Sequence, residues 1–280
     1  MSSTADALGP DWLAACRSAV EGLRHVFAEH PTSRERIIET GDTGEGGDQT
    51  LVIDAEAEDA VFAQLDALYA GGARFTAISE ERGVVDYGGG DVRVVIDPLD
   101  GSLNAKRGMT HFALSIAVAD GPTMADVQFG FVYDFGPGEE WLARRGEGAW
   151  LNGRRIETPP KERRTSDGRL EIVTFESADP RLLAPRIEAL GETVNRLRAM
   201  GSIAISLCQL APTRVDGMFT LRPTRSVDVA AAQLIVREAG ALVAFPAFDE
   251  PLGAPLDIEP HSRVVAARTP ESLARLIAAL

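Results

Sequence analysis

Three consecutive β-branched residues, Val94-Val95-Ile96, lead directly into Asp97-Pro98-Leu99-Asp100-Gly101-Ser102, and this junction limits the possible folds most tightly. The apolar run requires a strand driven into a core. The next positions then place two carboxylates, a proline and a glycine at its end. A strand that turns to charge at its C-terminal end is how α/β proteins position function. Pro98 fixes the backbone between the acids, and Gly101 admits a tight turn or a close ligand. A straight strand would hold Asp97 and Asp100 about 10 Å apart, whereas a turn at Pro98 lets them converge. Converging carboxylates without basic neighbours imply a metal ion, and an all-oxygen donor set suits Mg2+. In the alternative reading the two acids are turn residues whose side chains cap backbone N–H groups.

Other acids invite the same pair of readings. Glu80-Glu81 follows a strand over about 74–78 and is either solvated or aimed at the same point. Asp54 opens a helix over about 54–69 whose inner face carries Val61, Leu65 and Leu68, so it is either an N-cap or functional. Asp228 opens an alanine-rich helix, read over 229–239, and caps it, points into a site, or does both.

Residues 11–29 read as an amphipathic helix with Asp11 near its N-cap, and His30-Pro31 stops it. The glycine-rich acidic stretch 39–49 reads as a mobile surface loop. Strands are expected over 91–96, 112–118, 127–133 and 141–143, and Asn152-Gly153 marks a tight turn. The polar, proline-bearing stretch 157–168 is the expected boundary between an N-terminal α+β half, 1–156, carrying most candidate ligands, and a C-terminal α/β half, 157–280, supplying Asp228 and substrate contacts. Beyond it the pattern gives a strand over 170–175, helices over 180–190 and 202–210, strands over 215–220 and 264–267, and a last helix after Thr269-Pro270.

Charge narrows the partners. The 280 residues carry 28 Lys plus Arg against 42 Asp plus Glu, a net charge of -14, which argues against nucleic acid or an anionic membrane but not against phosphorylated metabolites. The first ten residues lack Lys, Arg and an apolar stretch of signal type, and no apolar run approaches a membrane span. Cys16 and Cys208 stand far apart without metal-ligand spacing, as buried thiols of a reducing cytoplasm would, and the four histidines are scattered. A cytoplasmic protein built on carboxylate chemistry is expected.

The acids also form a family pattern. Asp54 with Glu58, then Glu80-Glu81, the run Asp97 to Ser102 with Asn104, Gly146 to Gly153, Gly201-Ser202, and Asp228 with Ala230-Ala231 and Glu238-Ala239-Gly240 together resemble the inositol monophosphatase superfamily, which includes fructose-1,6-bisphosphatases. The resemblance implies a layered α-β-α-β-α sandwich, a homodimer, lithium sensitivity, and two or three Mg2+ ions, with Mn2+ able to substitute. On the family's pattern Glu80, Asp97 and the carbonyl of Leu99 would hold one ion, and Asp97, Asp100 and Asp228 the second. Asp54 would lie near a third, weaker ion. Gly101 and Ser102 would meet the phosphate and the attacking water, with Glu80, Asp97, Ser102 and Asp54 as the catalytic set.

The chain departs from many inositol monophosphatases in having Val227 before the last ligand and Ala105 after Asn104. Leu221 stands at about the place of an acid that contacts inositol hydroxyls, while Arg222 and Arg225 bring positive charge near Asp228. Around 46–50, 54–56 and 221–225 the chain is more similar to archaeal-type enzymes of broad specificity. The leading expectation is hydrolysis of inositol 1-phosphate by direct attack of water. Fructose-1,6-bisphosphatase is the alternative, with Arg222 or Arg225 on the second phosphate. Histidinol phosphate, 3'-phosphoadenosine 5'-phosphate and NADP are further candidate substrates. A catalytically inactive, carboxylate-rich binding module is the reading from a different class.

Overall fold

The computed structural model describes residues 7–43, 49–157 and 162–280. Helix α1 (Trp12–Glu29) begins where Asp11 accepts the Ala14 N–H, and buries Trp12, Cys16, Ala19, Val20, Leu23 and Val26, the three-and-four spacing of one helical face. A single turn, α2 (Ser33–Arg36), follows with a Thr32/Glu35 capping box. The stretch expected as a loop instead pairs β1 (Glu39–Thr43) with β2 (Gln49–Leu51); its centre, 44–48, lies outside the described residues. Helix α3 (Val52–Ala70) starts earlier than the pattern suggests, and Leu51 holds its N-cap position without a side-chain bond. Asp54 therefore sits in the first turn rather than at the cap.

The larger sheet is built from β3 (Thr76–Ser79), β4 (Gly83–Asp86) and β5 (Arg93–Asp100), then, after helix α4 (Ser102–Arg107), from β6 (Ala113–Ala119), β7 (Val127–Asp134), β8 (Glu139–Arg144), β9 (Gly148–Leu151) and β10 (Arg154–Arg155). Its spatial order is β10-β9-β8-β7-β6-β5-β3-β4. Only β3 and β5 run parallel. The Asn152-Gly153 turn joins β9 to β10, both its residues having positive φ.

The smaller sheet has the order β12-β11-β13-β15-β14. Its elements are β11 (Leu170–Glu176), helices α5 (Pro180–Leu183) and α6 (Ile187–Thr193), β12 (Val194–Arg198), α7 (Ile203–Cys208), β13 (Gly217–Thr220), α8 (Ser226–Glu238), β14 (Leu242–Ala244), β15 (Val265–Ala267) and α9 (Pro270–Ala278). The helix expected over 180–190 is broken into α5, one 3-10 turn at Ala184–Arg186, and α6, because Pro185 donates no amide hydrogen to the ladder. Short strands at β4, β12 and β14 escape a reading by pattern, since runs of three to five residues hold too few alternations.

Both faces of the larger sheet are covered, which explains why β6 is buried throughout and apolar but for Ser115. Val94 and Ile96 point to α1 and α3 with Phe62, Phe129 and Phe131. Val95 points the other way, to α7 and α8, with Ala117, Val132 and Trp141. The smaller sheet divides likewise: Met218 and Ala266 join the α7/α8 layer, while Phe219, Val265 and Ala267 face Leu276 of α9. The layers alternate α-β-α-β-α, as expected. Helix α8 comes from the second half of the chain yet packs on β5 to β8 of the larger sheet. Among the described residues no helix is long and apolar enough to cross a membrane.

The central contact of α8 with the sheet depends on Gly130 of β7, where an added Cβ would lie 2.6 Å from the Ala231 carbonyl oxygen. Gly130→Ala must push the helix away and should cost about 1–3 kcal/mol, read as a lower midpoint of thermal unfolding. Gly191, within α6, has no heavy atom within 4 Å of such a Cβ, so Gly191→Ala should be neutral or stabilising by up to about 1 kcal/mol. Equal midpoints for the two variants would contradict this packing.

Candidate active site

The acidic segment is the last part of β5 itself. Asp97 pairs with Ser115 and Asp100 with Ala113, so three steps along β5 oppose two along β6. This is a bulge of one extra residue, located where Pro98 has no N–H to give. In a regular strand Asp97 and Asp100 would point to opposite faces. The extra residue removes that alternation, and the two carboxylates come close enough for the charge of Asp100 to help hold the Asp97 proton. Asp97 Oδ1 accepts the Leu99 N–H at 2.9 Å. Gly101, at φ +84°, then turns the chain into α4, and a Cβ there would lie 2.8 Å from the His111 carbonyl oxygen.

The remaining acids arrive from three other elements. Glu80 follows β3, whose parallel register sets Ser79 beside Ile96. Asp54 projects from the first turn of α3, and Asp228 from the first turn of α8. The latter does both things its position allowed: it accepts the Arg225 N–H at 3.1 Å and it joins the acidic group. Asp100 is held by the Ser202 hydroxyl at 2.5 Å and the Ala204 N–H at 2.8 Å.

Asp97, Asp100, Asp228 and Asp54 are displaced upward from ordinary carboxylate behaviour. Burial, and then the charges of Glu80, Asp100 and Asp228, push Asp97 well up. Burial lifts Asp100 to about 7, with Asp228 adding to the rise and the Ser202 bond opposing it. Burial likewise raises Asp228 and Asp54, against Arg225 and Lys106 respectively. Glu58, one turn after Asp54 and itself buried, is raised to about 7 by burial while accepting the Arg82 N–H beyond Glu81.

Asp54, Glu80, Glu81, Asp97, Pro98, Leu99, Ser102 and Lys106 line one small cavity of about 50 Å3. Basic neighbours, absent from the acidic segment, are supplied by the fold. Lys106 Nζ lies 2.9 Å from Asp54 Oδ2. Arg225 Nη1 donates to Glu80 Oε1 at 2.7 Å and Nη2 to Asp228 Oδ1 at 3.2 Å. Burial opposes the Arg225 charge, but Asp228 and Glu80 outweigh it and push its pKa up. Arg222 goes elsewhere, to Asp179 at 3.1 Å, with an exposed side chain. Leu221 is buried in the apolar layer beneath α9, so its side chain offers nothing to a polyol.

Among the described residues no three carboxylates or other ligating side chains are grouped closely enough to cage an ion as they stand. Arg225 instead binds Glu80 and Asp228. The donor set nevertheless fits a hard dication: every donor is oxygen, the acids outnumber Lys106 and Arg225, and Asp54 Oδ1 is buried without a hydrogen-bond partner.

Two contributors lacked a signal of their own in the sequence. Lys106 lies one helical turn after Ser102, a spacing that puts both on one face of α4. Glu176 ends β11 and is buried; it accepts the Met200 N–H at 2.8 Å, the Gly201 N–H at 3.0 Å and the Ser206 hydroxyl at 2.5 Å. Asn104 Nδ2 bonds the Met200 carbonyl at 2.7 Å. These contacts fix the segment whose Ser202 and Ala204 hold Asp100.

Comparison with known proteins agrees with this geometry. Residues 13–280 match the model of the inositol monophosphatase family. A fructose-1,6-bisphosphatase/inositol-1-monophosphatase of Thermococcus kodakarensis is 37% identical over 202 residues, covering 72% of this chain and 71% of its own. The Nus factor SuhB of Vibrio cholerae is 33% identical over 236 residues, covering 82% of each chain. The solved structure of a Pyrococcus horikoshii protein, described as having similarities to inositol-1 monophosphatase, superposes with a TM-score of 0.73 at 25% identity, covering 96% of this chain and 98% of its own. With its layered sandwich and its acids gathered at the end of β5, the chain belongs to the inositol monophosphatase and fructose-1,6-bisphosphatase superfamily, and is a metal-dependent phosphatase.

Proposed function

We propose that the protein hydrolyses the phosphate monoester of a small polyol or sugar, with inositol 1-phosphate as the leading substrate. The observation that carries this reading is the bulge at Pro98, which gathers Asp97 and Asp100 with Glu80 and Asp228 in an interior where their charges are only partly offset. Glu80, Asp97 and the Leu99 carbonyl would hold one Mg2+, and Asp97, Asp100 and Asp228 a second, with Asp54 beside the place that a third, weaker ion would take. When bound, such ions polarise the phosphoryl group, acidify water and offset the charge of the leaving oxygen.

The chain's own side chains supply the rest. The Gly101 turn sets Ser102 at the start of α4, where it lines the cavity and can orient a water. Asp54 Oδ1, lacking a partner, is the acceptor available for that water's proton. No side chain in the cavity is a ready covalent nucleophile; the Cys16 and Cys208 thiols are buried elsewhere, and burial pushes both up.

Fructose 1,6-bisphosphate is the alternative substrate. The Arg225 guanidinium supports it, being already at the acids and able to meet a second phosphate in a planar fork. The name of the Thermococcus relative joins both activities and favours neither.

Asp97→Asn should abolish most turnover, by on the order of 10^2-fold or more, and weaken divalent-ion binding at both positions; Asp100→Asn should weaken mainly one. Calorimetric titration beside turnover decides it, and near-normal values of both for Asp97→Asn would defeat the assignment.

Protonation gives a second test. In the folded, metal-free protein Asp97, Asp100, Asp228 and Glu58 all hold protons at higher pH than in the unfolded chain. The folded state therefore binds more protons between about pH 4 and 7, and stability should fall as pH rises through that window. Mg2+ competes with those protons, so its stabilising effect should be larger at about pH 8 than at about pH 5. Calorimetric melting with EDTA and with Mg2+ at both values measures this; a metal-free midpoint that rises across the window would reverse the sign.

The arginines separate the substrates. Arg225→Ala should reduce kcat/KM selectively for the bisphosphate by roughly 10-fold, about 1.4 kcal/mol, while Arg222→Ala, whose partner is Asp179, should change both substrates slightly and equally. Equal losses on both substrates in Arg225→Ala would leave this arginine only the task of offsetting Glu80 and Asp228.

A further inference from the structure

Among the described residues that line the cavity, Lys106 is the one cationic side chain, and the mechanism gives it no task. It emerges from α4 one turn after Ser102, close to the helix end at Gly108. From there a four-carbon stem could reach solvent. Instead the side chain is only 19% exposed, its Nζ is 2.9 Å from Asp54 Oδ2, and it lines the same small cavity as Glu80, Glu81, Asp97 and Ser102. Burying a strongly hydrated ammonium is unfavourable unless the surroundings hold unbalanced negative charge. Here they do, because Arg225 is committed to Glu80 and Asp228.

We infer that Lys106 is a resident cation that occupies the electrostatic place of the third, weaker divalent ion, so that this chain works with two ions. The inference rests on the phosphatase reading above and names which part of its metal requirement the chain supplies from its own covalent structure. The ammonium takes Asp54 Oδ2 and leaves Oδ1 free. Asp54 is thereby held in the cavity with Oδ1 buried and without a hydrogen-bond partner. A further dication beside Asp54 would have to approach a fixed positive charge and would find only one of the two carboxylate oxygens, whereas Mg2+ gives up its own waters reluctantly and needs strong oxygen donors in return. A side chain cannot dissociate, so the charge at this position would not depend on the concentration of free metal.

The test is a Mn2+ titration of metal-free protein, followed by the paramagnetic resonance signal of the free ion, for the parent, Lys106→Met, Lys106→Gln and Lys106→Arg. The parent and Lys106→Arg should bind two ions. Lys106→Met and Lys106→Gln should bind a third, weaker one, and Lys106→Met/Asp54→Asn should return to two. Turnover should follow: the uncharged variants should lose about 10-fold or more at low Mg2+ and recover as Mg2+ is raised, whereas the parent saturates early. If Lys106 only packs α4 against α3, the uncharged variants melt at lower temperature but give the parent's isotherm, and the inference falls. An identical isotherm in a variant of unchanged stability overturns it equally. If the parent itself binds no Mn2+, or Asp97→Asn binds as the parent does, the phosphatase reading of the acids fails first and takes this inference with it. Lys106→Gln keeps a polar contact to Asp54, so it carries the same expectation should Lys106→Met fail to fold.

Discussion

Everything at this site follows from the mutual repulsion of carboxylates held at the buried end of β5. Water would screen such charges, but Asp97, Asp100 and Asp228 are nearly inaccessible to it, and in a poorly polarisable interior like charges a few ångströms apart cannot all be ionised at low cost. The raised pKa of each acid is the local record of that conflict. A fold concerned only with stability would fill these positions with apolar side chains. Their presence at the C-terminal end of β5, beside its parallel neighbour β3, marks the place where the protein gives up stability for binding and chemistry.

The surrounding architecture keeps the conflict from dispersing. Both faces of the larger sheet are packed, so β5 cannot twist to carry its acids to solvent, and the bulge at Pro98 keeps Asp97 and Asp100 within reach of each other. Helices α3 and α8 bring Asp54 and Asp228 in on their first turns, where helix dipoles favour negative charge. Hydrogen bonds from Ser202 and Ala204 fix Asp100, and Glu176 fixes the segment that bears them. Arg225 and Lys106 then offset part of the charge from two sides.

Much of this was legible in the order of residues. A β-branched run ending in Asp-Pro-Leu-Asp-Gly-Ser specifies a core strand that terminates in function, because burial of Val94, Val95 and Ile96 leaves the next side chains no choice but to stand at the edge of the core. The period of apolar residues located α1, α3 and α9, and the Asn152-Gly153 turn was visible from the positive φ such a pair accepts. The acids were individually recognisable because a carboxylate next to an apolar run is expensive to bury without a reason.

What the sequence could not reveal is which charges meet. Arg222 and Arg225 stand three residues apart and read alike, yet one pairs with Asp179 at the surface and the other enters the acidic group, since the start of α8 fixes where each side chain leaves the backbone. Lys106 gives no signal of its own in the sequence, because Gly101 and the bulge set the direction of the short helix that bears it. Glu176 gave no signal, as its partners are backbone amides of 200 and 201 that only the layering of the two sheets brings near. The sequence by itself determined the strand, the acids and the chemistry they are fit for, because those follow from local hydrophobicity and from the identity of the donors. The tertiary structure alone decided the counter-charges, because electrostatic partnership depends on distance in space and on exclusion of water, and neither is a property of separation along the chain.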